Sequence, residues 1–183
     1  MADNSSIDSL KSLITNRNGL AKPTQFNMVF SLPAEINTQE ARDLSIMCQT
    51  SSLPTRTVTT LDYAGTQRHS YRVPTGYAYD TITFTFLVGN DFFPKNIFDS
   101  WLNLSVDPES YRVRYVSDYS STITIYQLDS EENAIYGVQL NQAFPISMSP
   151  IELGAGLTDQ VHNLSVTFSY YDYEVVDAAL LDL

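Results

Sequence analysis

The chain is expected to fold as a mainly β domain, an antiparallel sandwich or barrel with one flanking α-helix, and three observations predict it. Twelve Tyr, nine Phe and recurring Thr and Val make a composition that suits pleated, half-buried strands. Apolar and small polar residues alternate in several short runs, as in strands with one buried face. One segment alone, from Phe93 to Leu104, instead repeats its apolar residues every three or four positions. At 183 residues and 43% hydrophobic content, the chain is long enough for one domain with a sizeable core.

Residues 1–24 are polar, with Ile7, Leu10, Leu13 and Ile14 near helical spacing before Gly19 and Pro23, and read as an arm or short helix. Nine strand-like runs follow within residues 25–173: 26–32, 44–50, 56–63, 67–73, 81–88, 111–116, 122–128, 135–143 and 164–173. The stretch from Pro54 to Pro74 reads as a long hairpin around Ala64-Gly65, carrying Arg56, Arg68, His69 and Arg72 as an island of positive charge. Such an island would either meet acidic groups of a partner or remain a solvated surface hairpin. Residues 174–183 form a C-terminal tail.

After Asn90 and Asp91, Pro94 occupies a tolerated first-turn position, and Phe93, Ile97, Trp101 and Leu104 form the apolar stripe of a helix. The stripe either caps the core of the sheet, the usual fate of a lone aromatic helix in a β domain, or binds a partner.

Ile82, Phe84, Phe86 and Val88 share one face of their strand, with Thr81, Thr83 and Thr85 on the other; Leu164, Val166, Phe168 and Tyr170 likewise oppose Ser165, Thr167 and Ser169. Ile123 and Ile125 against Thr122 and Thr124 extend the pattern to a third strand. A face of small hydroxyls meets bulk water in most antiparallel sheets. These stretches, however, carry no Lys, Arg or Glu, and a smooth, uncharged wall also suits a lumen through which something slides.

Ten Lys and Arg against twenty-one Asp and Glu give a formal charge of −11, the reverse of what a phosphate-gripping protein needs. The single Cys48 permits no intrachain disulfide and reads as a small buried hydrophobe, which fits a reducing compartment. Neither a signal-like apolar segment nor a run long enough to span a membrane is visible. The two histidines, His69 and His162, are too few for a histidine-rich metal site, and HExxH, CxxC, GxSxG and phosphate-loop patterns are missing. Glu131 and Glu132 sit in a solvated turn rather than as a catalytic pair, and His162 near Asp159 reads as structural. No catalytic residue, cofactor or metal is expected.

The segment Ser52-Leu53-Pro54 to Arg56, Leu61-Asp62-Tyr63, Val73-Pro74, Gly76 and Tyr79-Asp80 running into Thr81 to Leu87 resembles the tail tube proteins of T-even-type contractile phages. So do Phe98-Asp99-Ser100-Trp101, Tyr115 with Asp118-Tyr119, Thr122 to Asp129, Tyr136 to Pro145 and His162 to Tyr170. The weight lies in their colinear order over residues 26–173. Residues 1–24 and 174–183 match no family motif.

The resemblance implies a structural subunit of a virion tail: six copies closing into a ring with a shared inner β-barrel, and rings stacking into a conduit for DNA ejection inside a contractile sheath. Implied partners are further copies of the chain, the sheath protein, the baseplate tube initiator, the tape measure protein and the tail terminator, with DNA passing unbound and no membrane involved. The ring protein of type VI secretion systems shares that architecture. Assembly in the host cytoplasm would follow. Within this frame the hydroxyl faces at Thr81, Thr83, Thr85, Ser165, Thr167 and Ser169 become candidates to line the lumen, and Arg56, Arg68, His69 and Arg72 to mark an inter-ring hairpin. Two alternatives remain: a baseplate tube initiator of the same fold, and a carbohydrate-binding β-sandwich using Trp101 and surface tyrosines as stacking platforms.

Overall fold

The computed structural model describes residues 5–17, 19–36, 40–64, 70–154, 156 and 161–176. Along the chain these form α1 (Ser5–Asn16), β1 (Phe26–Phe30), α2 (Ala41–Ile46), β2 (Cys48–Thr50), β3 (Arg56–Ala64), β4 (Ser70–Tyr79), β5 (Ile82–Leu87), α3 (Phe93–Ser105), α4 (Val116–Tyr119), β6 (Ser121–Leu128), β7 (Ala134–Met148), β8 (Asn163–Ser169) and β9 (Asp172–Val176).

Seven strands make one antiparallel sheet in the order β1-β6-β7-β8-β5-β2, with β9 added beside β7; β3 and β4 form a separate two-stranded hairpin. β7 is the spine of the sheet. Its first part lies between β6 and β9, and its last residues pair with β8. The pairing runs on from Phe144↔Ser169 to Asn141↔Asp172, and the Tyr171 N–H donates to the Asn141 carbonyl at 3.0 Å. β8 and β9 are therefore one path along β7, bent at Tyr170-Tyr171. α2 packs against both β1 and β2, the two ends of the strand order, and inserts the fully buried Leu44. This nearly closes the sheet as a barrel.

Alternation along β5 and β8 decides what the barrel encloses. Ile82, Phe84 and Phe86 face Phe168, Val166 and Leu164 across the pair, and all six are buried. Phe168 meets Phe84, Phe98, Trp101 and Phe30 at ring separations of 5.3, 5.8, 5.8 and 6.4 Å. α3 begins where the Asp91 carboxylate accepts the Phe93 N–H at 3.3 Å and Pro94 fills the first turn. Its buried side presents Ile97, Phe98, Trp101 and Leu104, while Phe93 is half-buried. The Trp101 indole N–H donates to the Tyr119 carbonyl at 2.6 Å, which ties α3 to α4 without leaving the buried donor unsatisfied.

Two strand-like runs fold differently. Of the run 44–50, the first residues belong to α2, and only Cys48–Thr50 form a strand. A short apolar run does not distinguish strand from helix by periodicity, and here the gap between β1 and β2 selects a helix. The run 111–116 has no strand partner beyond one isolated bridge, Val106↔Val113. Tyr111 sits at φ 54, in the left-handed region that interrupts extended backbone. The run is held instead by Arg114, whose Nη1 contacts the Glu35 carboxylate oxygens at 2.8 and 3.0 Å. Three helices besides α3 are present among the described residues, α1 within the expected N-terminal arm.

Two outcomes test this packing. Trp101→Phe leaves the Tyr119 carbonyl without its donor and opens a cavity at a fully buried site, and should lower urea stability by at least about 1–3 kcal/mol followed by circular dichroism; an unchanged midpoint would contradict the buried placement of Trp101. Burial pushes the Cys48 thiol up to about 12, so the reactive thiolate is scarcer in the folded than in the unfolded protein at any pH below that value. Iodoacetamide at mildly alkaline pH should therefore modify Cys48 in urea and spare it in buffer, as read by mass spectrometry. Equal rates would contradict the burial.

Candidate functional site

Two surfaces stand out from the barrel: the outer face of β5 and β8, and the β3–β4 hairpin. On the first, the cross-strand pairs Thr83↔Thr167 and Thr85↔Ser165 bring hydroxyls together, with oxygens 3.1 Å apart in one pair and 3.2 Å in the other. Such pairs satisfy one another across the strands instead of reaching outward for a ligand. Thr81, just before β5, and Thr83 are exposed, whereas Thr85, Ser165, Thr167 and Ser169 are half-buried. All six expected residues thus lie along two neighbouring strands.

The third hydroxyl stretch does not extend this exposed wall. Thr124 on β6 is buried, with Val29 and Gln139 as its register partners. Tyr126, two positions on along the same face, is buried too, its ring lying where a Cβ on Gly137 would come within 3.0 Å. Alternation in β6 therefore marks two covered faces, although its sequence matches that of β5.

α3 and the hydroxyl face lie on opposite sides of β5 and β8. The core side chains Phe86 and Phe168 touch Phe98, at 4.9 and 5.8 Å, while Thr83, Thr85, Ser165 and Thr167 point the other way by strand alternation. Whatever meets the hydroxyl wall is separated from the helix by the full thickness of the core.

The hairpin is solvent-exposed along Thr57–Tyr63 and Ser70–Ala78. Arg72 pairs with Asp62 at 3.3 Å, an exposed contact of little energetic weight. Arg56 turns back into its own domain at the hairpin base, its guanidinium 5.1 Å from the Tyr77 ring and 5.9 Å from Tyr173. Tyr79 meets Tyr170 and Tyr173 at 6.0 and 5.8 Å, and the Tyr170 hydroxyl donates to the Thr55 carbonyl at 3.4 Å. Arg68 and His69 lie outside the described residues. This tyrosine clamp escaped the sequence reading because its members come from positions some hundred residues apart, with no shared motif.

The acidic turn residues have structural roles. Asp129 accepts the N–H groups of Glu131 and Asn133 at 2.7 and 2.9 Å, and these bonds hold its carboxyl below the usual carboxylate range. His162 lies against the Phe92 ring at 6.3 Å, and Asp159 is outside the described residues. No group of three or more His, Cys, Asp or Glu among the described residues is placed to hold a metal. Trp101 is fully buried, so the sugar-stacking alternative loses its indole platform.

Comparison with known proteins agrees with this architecture. No curated protein matches the sequence. Among solved structures, the chain is similar to one in the anti-feeding prophage baseplate (TM-score 0.65, 19% identity, covering 88% of this chain and 98% of that one). It is also similar to one in the tube-terminating cap of the same prophage (0.63, 14%, 86% and 91%). A third is in the sheath-tube complex of an extracellular contractile injection system, PVC (0.60, 14%, 86% and 92%). These likenesses concern the fold. A family model described as phage tail tube protein matches residues 21–176, the whole barrel with its hairpin, and the chain therefore belongs to the phage tail tube protein family and is a structural subunit of a virion tail.

Proposed function

We propose that six copies close into a ring whose bore is lined by the hydroxyl wall of β5 and β8, and that rings stack into a conduit through which DNA passes without being held. The observation that carries this reading is the wall itself: Thr83, Thr85, Ser165 and Thr167 satisfy one another and add no charge. The nine strands among the described residues are too few to enclose an aqueous channel, which takes about sixteen or more; several copies would supply them. A net charge of −11 per copy opposes phosphate binding along such a tube.

With the hydroxyl wall inward, α3 faces outward, where the contractile sheath would lie. Injection-system chains of this fold come from structures named for a baseplate, a terminating cap and a sheath-tube complex. In the same way we assign this chain the sheath, the baseplate tube initiator, the tail terminator and a tape measure protein as partners, with assembly in the host cytoplasm and no catalytic activity. The exposed β3–β4 hairpin would reach the adjacent ring. A tube initiator at the baseplate is the second reading, favoured by the baseplate chain among the similar structures. Negative-stain microscopy of the concentrated protein with baseplate seeds separates the two: repeating tubes support the tube subunit, and single rings that never extend support the initiator.

Substitutions in the wall test its placement. Thr83→Val with Thr167→Val removes one hydroxyl pair and should change monomer stability by no more than about 1 kcal/mol. Thr83→Lys or Thr167→Lys should leave virions intact but slow DNA ejection, because each ring would then offer several cations to phosphate. Normal ejection from normal particles would place the wall elsewhere than the bore.

A further inference from the structure

We propose that the outer edge of β9 is the acceptor for the β3–β4 hairpin of a second copy of this chain. The proposal rests on the tube reading and names the surface that its stacking contact would use. β9 pairs with β7 along one edge, through five residues in unbroken register from Asp172 to Val176. Among the described residues its other edge pairs with no strand. Backbone donors and acceptors on an open edge are a template for another strand.

β1 and β2 flank α2. Beyond Ala143, where pairing with β6 ends, Phe144 of β7 meets Tyr119 of α4 at 5.1 Å. β9 has no Pro and no Lys and shows no bulge against β7; its guards are its short length and the carboxylates of Asp172 and Glu174, which a basic partner strand would accept. Val175 is 61% exposed on it.

The hairpin is the matching half. It extends about 30 Å at strand rise, among the described residues pairs with no strand outside itself, and exposes Leu61, Tyr63 and Tyr71. A two-stranded ribbon alone is marginally stable in water, so a partner strand is the expected completion. One charge pair points the same way: β9 bears Glu174, and the hairpin bears Arg72, whose exposed ion pair with Asp62 is weak enough to exchange partners. Within one chain β9 meets the hairpin at its base, where Arg56 and Tyr79 lie against Tyr173, and the hairpin strands beyond that clamp stay exposed. Two unlike open ladders on one subunit make a head-to-tail contact, which propagates from copy to copy.

Hydrogen exchange with mass spectrometry on the wild-type protein, monomer against assembled tubes, is the test. Peptides covering 172–176 should exchange at least about tenfold more slowly in tubes; tubes in which they exchange at the monomer rate would overturn the proposal. Glu174→Lys and Arg72→Glu should each shorten tubes without changing the monomer melting temperature, and the double variant should restore their length. Protection of β9 without that rescue would assign its partner to a different strand and overturn the hairpin as occupant. A protein that forms no assembly at any concentration, seeded or not, would sink the tube reading itself and this proposal with it.

Discussion

The packing of Phe168 against Phe30, Phe84, Phe98 and Trp101 is the contact on which the rest of the barrel depends. It sets the register Ile82↔Phe168 between β5 and β8, and because side chains alternate with a period of two, a slip by one residue would exchange the two faces. Phenylalanines would then meet water, and threonines would meet the aromatic core without partners for their hydroxyls. The aromatic cluster thus places the hydroxyl wall as well as the core. It also docks α3, since Phe98 and Trp101 enter the same cluster from the other side.

From this follows a division of labour between the faces of one sheet. The inner face of β5 and β8 is committed to stability and has no polar side chain to spare. The outer face is committed to being unreactive, with hydroxyls paired to each other in Thr83···Thr167 and Thr85···Ser165. The hairpin, by contrast, stands out from the barrel, and the clamp formed by Arg56, Tyr77, Tyr79, Tyr170 and Tyr173 gives an otherwise unsupported ribbon a defined root.

The differences between β5 and β6 show how far local patterns reach. Both alternate apolar residues with threonine, yet Thr83 is exposed and Thr124 is buried. Alternation reports that a strand has two unlike faces; it does not report whether a second layer covers the polar one. Thr124 lies on a central strand between Val29 of β1 and Gln139 of β7, on the same face as the buried Tyr126. The run 111–116 is the complementary case, a strand by composition that lacks an adjacent strand to complete its ladder.

What the sequence determined by itself is whatever depends on neighbours close along the chain. This includes the β class, most strand positions, the helix α3 with its apolar stripe, the hydroxyl alternation of β5 and β8, and the family, through motifs kept in order. Tertiary structure decided what depends on residues brought together from afar. It made α2 a helix because a gap between β1 and β2 had to be filled, and it bent β8 into β9 along β7. It buried Thr124, and it rooted the hairpin on tyrosines about a hundred positions away. The physical reason is the same throughout: period and composition are set within a few residues, whereas burial and strand pairing are set by which surfaces the closed barrel leaves for one another.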